Sequence, residues 1–326
     1  MPILAQQQLR LICGKFAAVG PRSDRIDCHN QKNTNPSSPV MELKSLIDQP
    51  GKLPAIPKVM EQLIASFSSE DVSISEIASQ LSADPALSAK LLKLGNSAYF
   101  HVSRTIGTVD AALQMLGFVM VRNLVLGSNM ATAFKNLPGI DLRQFWRHNL
   151  YTACAARWLA QRADVNSDLV FTLGLMHRIG QLQMLTVMPQ ELAPLSQQMG
   201  VLDAGRAALE QQTFGFHYGQ VSAALARIWN FPHALTDALL QVEQPLLAPE
   251  FSESAALVHL GAWRARVEIL GFNEADRVAS YPVEVGRRLK VDFAWFNPPQ
   301  VLPPDEDLSV MPPLSDLTEG LEAMFE

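Results

Sequence analysis

The sequence has few charged residues, few aromatic residues and few cysteines. Of its 326 residues, 18% are charged and 7% are aromatic, whereas 48% are hydrophobic. This composition excludes a chain that is disordered throughout, because it supplies enough apolar surface for a sizeable core. Leu, Ala and Met are abundant and aromatic residues are scarce, which favours helices over sheets. The length suits one large domain or two of medium size.

The three cysteines and the absence of long apolar runs predict the cellular compartment of the protein. Cys13, Cys28 and Cys154 show no paired spacing, and an odd, sparse set is typical of reduced thiols rather than of a disulfide framework. No apolar run reaches the roughly 18 residues of a membrane-spanning helix. The first twenty residues contain Arg10 and Lys15, so they make a poor signal peptide. We therefore expect a cytoplasmic protein that does not enter a membrane.

Basic runs are also missing. The formal net charge is −6, and seven of the acids lie in Asp305–Glu326, which contains no Lys or Arg, so the rest of the chain is nearly neutral. Residues 73–95 have the order of a helix-turn-helix, but their second helix offers only Lys90 and Lys93 as cations. Binding to a nucleic acid is not expected without a basic surface.

Helical periodicity begins at Met41 and continues to about Pro282, without any lasting strand alternation. The pattern predicts an all-α protein in four segments. They are a flexible N-terminal extension (1–40), an N-terminal helical subdomain (41–138), a helical core (139–281) and a Pro-rich acidic C-terminal tail (282–326). We expect the tail to be poorly packed, with one short terminal helix.

Several helix ends can be predicted from their capping residues. Ser73 and Glu76 have the spacing of a capping box, and Asp84 precedes Pro85 as a cap precedes a first helical residue. Ser167 or Asp168 is expected to cap a single helix that contains "LVFTLGLMHRIGQL". This apolar helix carries adjacent His177 and Arg178, and burying them costs several kcal/mol unless both find partners.

Six segments occur in a characteristic order between about Gly51 and Ala265. They are "LPAIPKVMEQL", "ISEIASQLSADPALSAKLLKLGNSAYF", "TVDAALQMLG", "FWRHNL", "GLMHRIGQL" and "ARIWNFP". Together they closely resemble the HDOD (HD-related output domain) family of bacterial signal-transduction proteins, which is related to the HD and HD-GYP metal-dependent phosphohydrolases. The resemblance implies an N-terminal helical subdomain packed on an HD-type helical core.

The resemblance also implies where a metal site would lie. HD phosphohydrolases bind one or two metals through a first His, a His-Asp pair, further histidines and a late Asp, and the metals activate water against a phosphoester. In this sequence the first His corresponds to His148, and the His-Asp pair corresponds to His177 and Arg178. The next His position falls on Tyr218, with His217 one residue out of register.

The remaining ligand positions of the family pattern are replaced as well. A His-His pair falls on Val242 and Glu243, and the final Asp falls near Gly261 or Ala262. Two of about six ligands remain, and Arg178 places a permanent cation where a dication would bind. We therefore expect no catalytic residue, no metal and no other cofactor. We also expect an ion pair between Arg178 and Glu243, the alternative being that Arg178 extends to solvent along its aliphatic stem.

The first hypothesis for function is a non-catalytic regulatory module that acts by binding a protein or a small ligand. One alternative is a metal-dependent phosphohydrolase with an atypical site that acts on a nucleotide or another phosphoester. A second alternative is a sensor that binds phosphate or a nucleotide without turnover. The expected partners are a protein of a signalling pathway and a nucleotide or phosphate ligand, and neither a membrane nor a nucleic acid is expected.

Overall fold

All regular structure in the described part of the chain is helical, as the sequence predicts. The computed structural model describes residues 42–49, 51–54, 56–68, 73–96, 105–135, 137–296, 310–322 and 325. The helices are α1 (Leu43–Ile47), α2 (Lys58–Ala65), α3 (Ile74–Ala83), α4 (Pro85–Gly95), α5 (Val109–Leu116), α6 (Phe118–Ala133), α7 (Leu142–Ala160), α8 (Ser167–Met176), α9 (Ile179–Val187), α10 (Pro189–Gln198), α11 (Arg206–Phe214), α12 (Tyr218–Ile228), α13 (His233–Gln241), α14 (Glu253–Ile269), α15 (Glu274–Ser280), α16 (Val283–Leu289) and α17 (Leu314–Leu317), with a 3₁₀ turn at Phe293–Trp295. The described residues belong to one compact unit.

The predicted N-caps Ser73 and Asp84 are confirmed, but the capping box at Ser73 is only half formed, because the described bonds of the Glu76 carboxylate are with Gln62 and Gln80. Ser73 begins α3 and its hydroxyl accepts the backbone N–H of Glu76 at 3.2 Å. The Asp84 carboxylate accepts two backbone N–H groups at the start of α4, where Pro85 is the first residue. These side chains satisfy donors that a helix leaves unpaired at its N-terminus, so the local sequence fixes both starts.

The helices α2 to α6 pack against one another in chain order, and α6 also packs on α8. Gly117 separates α5 from α6 with φ 79, a conformation that favours glycine. Among the described residues, no single helix is long and apolar enough to cross a membrane; α5 and α6 pass such a test only as a pair bent by 114°.

The core is built around α7. This helix packs along α14 and α8, while α12 packs on α9 and α13. Most of α7 is buried, including a run of alanines that allows neighbouring helices to approach closely. The helices α8 and α14 thus meet on the buried side of α7, and this is where the candidate site lies.

The segment after Val165 forms two helices rather than the single helix that the sequence predicts. The chain breaks at His177 and Arg178 into α8 and α9, and the cap of α8 is Asn166 rather than Ser167 or Asp168. The break has a local cause. The His177 ring bonds through Nδ1 to the Gly174 carbonyl at 2.6 Å, which is the carbonyl that a continuous helix would offer to the N–H of residue 178.

The C-terminal segment is better packed than the sequence suggested. The predicted short terminal helix is present as α17, which packs on α7. Leu314 is 0% exposed and Leu321 is 1% exposed, and the Phe325 ring stacks on Trp146 with 5.8 Å between centroids. Apolar residues inside the acidic tail thus return to the core. The predicted extension at residues 1–40 lies outside the described residues, and the division into four segments stays a prediction.

Candidate functional site

The close contact between α8 and α7 brings the two expected site histidines together. Gly174 faces Ala153 so closely that a Cβ at position 174 would lie 2.6 Å from the Ala153 Cα. Because α8 approaches so closely, the ring of His177 at its end lies beside His148 of α7, with 5.6 Å between ring centroids. Both side chains are buried.

A second glycine fixes the contact between α9 and α12. A Cβ on Gly180 would lie 2.1 Å from the Tyr218 carbonyl oxygen, so no larger residue fits. The Ser222 hydroxyl joins the two helices, since it accepts the Gly180 N–H at 2.8 Å and donates to the His177 carbonyl at 3.1 Å. This contact holds Tyr218 next to Arg178.

Arg178 is 2% exposed and is held by neutral groups. Its Nη2 donates to the Tyr218 hydroxyl at 2.7 Å, its Nη1 donates to the Val201 carbonyl, and its guanidinium carbon lies 4.7 Å from the centre of the Tyr218 ring. No group in the described part of the chain forms a hydrogen bond with its Nε. The alternative in which Arg178 extends to solvent is therefore wrong, because the side chain turns inward at the break between α8 and α9.

The predicted direct ion pair between Arg178 and Glu243 is also wrong. No ion pair within 4.0 Å joins these two described residues, because the Tyr218 hydroxyl takes the place of the carboxylate. Burial alone would raise the pKa of Glu243, but the charge of Arg178 and hydrogen bonding with Tyr218 outweigh it, so this pKa is lowered. Burial would lower the pKa of Arg178, but Tyr218 and Glu243 outweigh it, so this pKa is raised. Glu243 thus stabilises the arginine without touching it.

A buried ion pair supports Tyr218 from the other side. Arg206 and Glu210 are 2% and 1% exposed, and their Nε and Oε1 are 2.8 Å apart. The second carboxylate oxygen of Glu210 accepts the backbone N–H of Tyr218 at 2.9 Å, and Arg206 donates to the Met199 carbonyl at 2.8 Å. This pair fixes the start of α12, and sequence reasoning missed it because its one visible sign was an i, i+4 spacing of opposite charges.

The two histidines of the site are uncharged. Burial, and then the charge of Arg178, lower the pKa of His148 well below its usual range and that of His177 to about 3. Since His177 is neutral and its Nδ1 faces the Gly174 carbonyl oxygen, Nδ1 carries the proton and Nε2 is an acceptor. That Nε2 and both ring nitrogens of His148 have no hydrogen-bond partner. The site therefore contains buried polar atoms that no group of the described residues satisfies.

The other predicted positions lie around this centre in different roles. His217 caps α12 and its Nδ1 accepts the Gly219 N–H at 3.1 Å, so the ring is engaged locally. The Val242 carbonyl bonds to Nδ1 of His259 at 2.8 Å. Gly261 and the adjacent Ala262 lie on α14 against α7 and supply no ligand atom, since a Cβ at 261 would be 2.7 Å from the Thr152 carbonyl oxygen.

The site lies within the match to a known family and on the helix that follows it. The model of the HDOD domain matches residues 53–245, which is more than half of the chain. The chain belongs to the HDOD family. The matched region contains His148, His177, Arg178, Tyr218 and Glu243, and α14 lies beyond its end.

Solved structures support the HDOD assignment of the fold. A proposed phosphohydrolase from Shewanella amazonensis SB2B is 25% identical, with a TM-score of 0.66 over 87% of this chain and 96% of that one. An HDOD domain protein with unknown function from Geobacter sulfurreducens is 21% identical, with a TM-score of 0.56 over 73% and 92%. A proposed signal transduction protein from Marinobacter aquaeolei VT8 is 20% identical, with a TM-score of 0.56 over 76% and 59%.

A curated relative is longer than this chain. The relative is an uncharacterized protein from Treponema pallidum (strain Nichols) and is 23% identical over 197 residues. The aligned region covers 60% of this chain and 38% of the relative. The similarity is therefore to a part of that protein, in keeping with a domain that occurs in longer chains.

Proposed function

We propose that this HDOD chain is a non-catalytic regulatory module, and that its HD-type site has lost metal binding and hydrolysis. The observation that carries the proposal is the buried guanidinium of Arg178, at the position that the family resemblance assigns to the acid of a His-Asp pair. A fixed cation in a buried site repels a dication and leaves one metal ligand fewer. The HDOD family and the structurally similar signal transduction protein from Marinobacter aquaeolei VT8 support the regulatory role.

The donor set does not fit a metal. His148 and His177 offer unpaired nitrogens, but the neighbouring groups are a guanidinium, a phenol and a carboxylate that stabilises the guanidinium. No group of three or more His, Cys, Asp or Glu side chains arranged for a metal occurs in the described ranges. Hydrolysis by a metal-activated water would need such a group. We expect the module to act through a protein partner of a signalling pathway or through a small ligand.

Metal analysis and hydrolysis assays test this proposal together. The protein is purified without chelator, analysed for bound metals, and incubated with p-nitrophenyl phosphate, bis-p-nitrophenyl phosphate and nucleotides in the presence of Mg²⁺ or Mn²⁺. We expect substoichiometric metal and rates equal to those of the buffer. Stoichiometric metal that is lost in His148→Gln and His177→Asn, or turnover that disappears in these variants, would contradict the proposal.

A further inference from the structure

The C-terminal segment of the chain, which we define as residues 310–322 and Phe325, covers a groove on α6 and α7. We name this groove, which Gly127, Arg143 and Trp146 line beneath Phe325, the aromatic groove. We propose that the aromatic groove docks an acidic segment of a partner protein through an aromatic residue, and that Phe325 competes for the same place. The inference rests on the proposed function, since it gives the regulatory module a surface for a protein partner.

One glycine and one tryptophan give the aromatic groove its form. The Phe325 ring stacks on Trp146 with 5.8 Å between centroids and 22° between planes. A Cβ on Gly127 would lie 2.9 Å from the Phe325 ring, so α6 leaves room for a ring because residue 127 has no side chain. Trp146 is 3% exposed, whereas Phe325 is only partly buried. The groove thus accepts an aromatic side chain between two helices.

The aromatic groove is larger than the ring that occupies it. Two open clefts meet at Arg143, Trp146 and Phe325. The larger cleft has a volume of about 590 Å³ and lies between α4, α6 and α7, and the smaller has a volume of about 240 Å³ and lies along α7 beside Glu322. Packed segments of a protein normally fit one another closely, so Phe325 leaves room for the residues of a longer segment.

Trp146 also carries a donor that the C-terminal segment does not satisfy. Its Nε1 is buried, and no group of the described residues accepts a hydrogen bond from it. A buried N–H of this kind is usually paired. An incoming segment with a backbone or side-chain oxygen at this position would give the donor an acceptor, which the Phe325 ring does not. The donor therefore favours a polypeptide over a purely apolar ligand.

The rim of the aromatic groove is basic. Asp84, which caps α4, is the acid that the described helices and their caps place in the lining of the two clefts. The cations in the same lining are Lys90, Lys135, Arg143 and Arg147. Apart from the C-terminal segment, four cations against one acid leave this described lining with an excess of three positive charges. Because the four basic side chains are at least partly exposed, they select and steer an acidic partner and supply little of its affinity.

The C-terminal segment itself shows which chemistry the aromatic groove accepts. Its apolar residues recur at three- and four-residue steps and its acids lie between them, in the order Leu314, Asp316, Leu317, Glu319, Leu321, Glu322 and Phe325. Leu314 and Leu321 are buried and anchor the segment. Phe325 lies beyond both anchors and is only partly buried, so it is the part that leaves the groove while α17 remains packed.

A fluorescent peptide with the sequence of residues 310–326 probes the aromatic groove of the full chain, and fluorescence anisotropy measures its binding. In the wild-type protein the tethered C-terminal segment competes at an effective concentration of about a millimolar, so we expect weak binding of the peptide. Phe325→Ala in the protein weakens this competitor and leaves the peptide intact, so it should tighten peptide binding by about tenfold. The same substitution in the peptide should weaken its binding by about tenfold.

Gly127→Ala is a second variant, with the opposite expectation. It also displaces Phe325, because its Cβ would meet the ring at 2.9 Å, but it fills the groove, so the peptide should not bind. Circular dichroism establishes that each variant is folded. Equal binding of the peptide to the wild-type protein, Phe325→Ala and Gly127→Ala would overturn the inference, and so would the absence of binding to all three.

The basic rim is tested in the Phe325→Ala protein. Lys135→Glu should weaken peptide binding by about threefold or more, since it replaces a cation of the larger cleft by an acid. The matched control is Lys58→Glu at an exposed position outside both clefts, which should leave peptide affinity unchanged. Equal losses in the two variants would overturn the assignment of an acidic partner to this rim.

The outcomes separate this inference from the proposed function. If the peptide does not bind and no substrate is hydrolysed, the docking surface is wrong and the non-catalytic module stands. If p-nitrophenyl phosphate is hydrolysed with a metal and the activity is lost in His177→Asn, the non-catalytic module is wrong whatever the peptide does. A wild-type dimer that light scattering detects and that Phe325→Ala abolishes would also overturn the assignment, because the occupant would then be the C-terminal segment of a second copy.

Discussion

Arg178 shows how one residue can be buried as a cation without a direct ion pair. Its guanidinium donates hydrogen bonds to the Tyr218 hydroxyl and to the Val201 carbonyl. The negative charge of Glu243 also stabilises the guanidinium, without a direct ion pair. Neutral partners solvate the charge but do not cancel it.

Gly180 is the residue on which the contact between α9 and α12 depends. We expect Gly180→Ala to lower the free energy of unfolding by about 1–3 kcal/mol, since its Cβ would meet the Tyr218 carbonyl oxygen at 2.1 Å and force the helices apart. Urea denaturation measures this loss. Gly107→Ala is the control, because a Cβ there meets nothing within 4 Å. Equal stability of the two variants would show that α9 and α12 are not in close contact.

At the scale of the helix, the break between α8 and α9 places His177 and Arg178 of an apolar segment at the candidate site. Its apolar periodicity continues across His177 and Arg178, so the sequence alone predicts one helix. The His177 ring and the backbone N–H of residue 178 compete for the Gly174 carbonyl, and the ring forms the hydrogen bond, at 2.6 Å. Such competition between a side chain and the backbone is local, but the residue types alone do not show which of the two bonds to the carbonyl.

The packing of the terminal helix α17 leads to a prediction about stability. Leu314 is 0% exposed, although it lies in the Pro-rich acidic tail. We expect Leu314→Ala to cost about 2–5 kcal/mol in thermal or chemical unfolding, as for other buried leucines. Leu247→Ala is the control, since Leu247 is 76% exposed and its loss should change stability by less than about 0.5 kcal/mol. A Leu314→Ala variant as stable as the control would mean that the tail does not pack on the core.

For the whole molecule, the fold was more predictable than the arrangement of the site. Helical periodicity, caps such as Asp84 and the six family segments were sufficient to predict an all-α HDOD fold. The family pattern also placed Tyr218 and Glu243 around Arg178. It could not tell which of the two would touch the guanidinium, because that depends on the close packing of α9 against α12 at Gly180.

The buried histidines predict how the stability of the whole protein depends on pH. His177 has a pKa of about 3 in the folded state, and the pKa of His148 is also lowered, whereas an unfolded histidine has a pKa of about 6.5. Between these values the unfolded chain binds protons that the folded chain does not, so stability is full above about pH 6.5 and is lost as the pH falls.

The expected slope is at most about 1.4 kcal/mol per pH unit for each such histidine. The facing charges are Arg178 and Arg266, which lower the pKa of His177, and Glu243, which raises it. The lowered pKa of Glu243 affects stability only near and below its usual value of 4.5, whereas the raised pKa of Glu210 acts above that value and in the opposite direction. The contribution of His177 is therefore the difference in slope between the wild-type protein and a variant in urea denaturation between about pH 7 and pH 5. We expect His177→Asn to reduce the slope and His233→Gln, at an exposed position, to leave it unchanged. A slope that is the same in the wild-type protein and His177→Asn would show that His177 is not held neutral by burial.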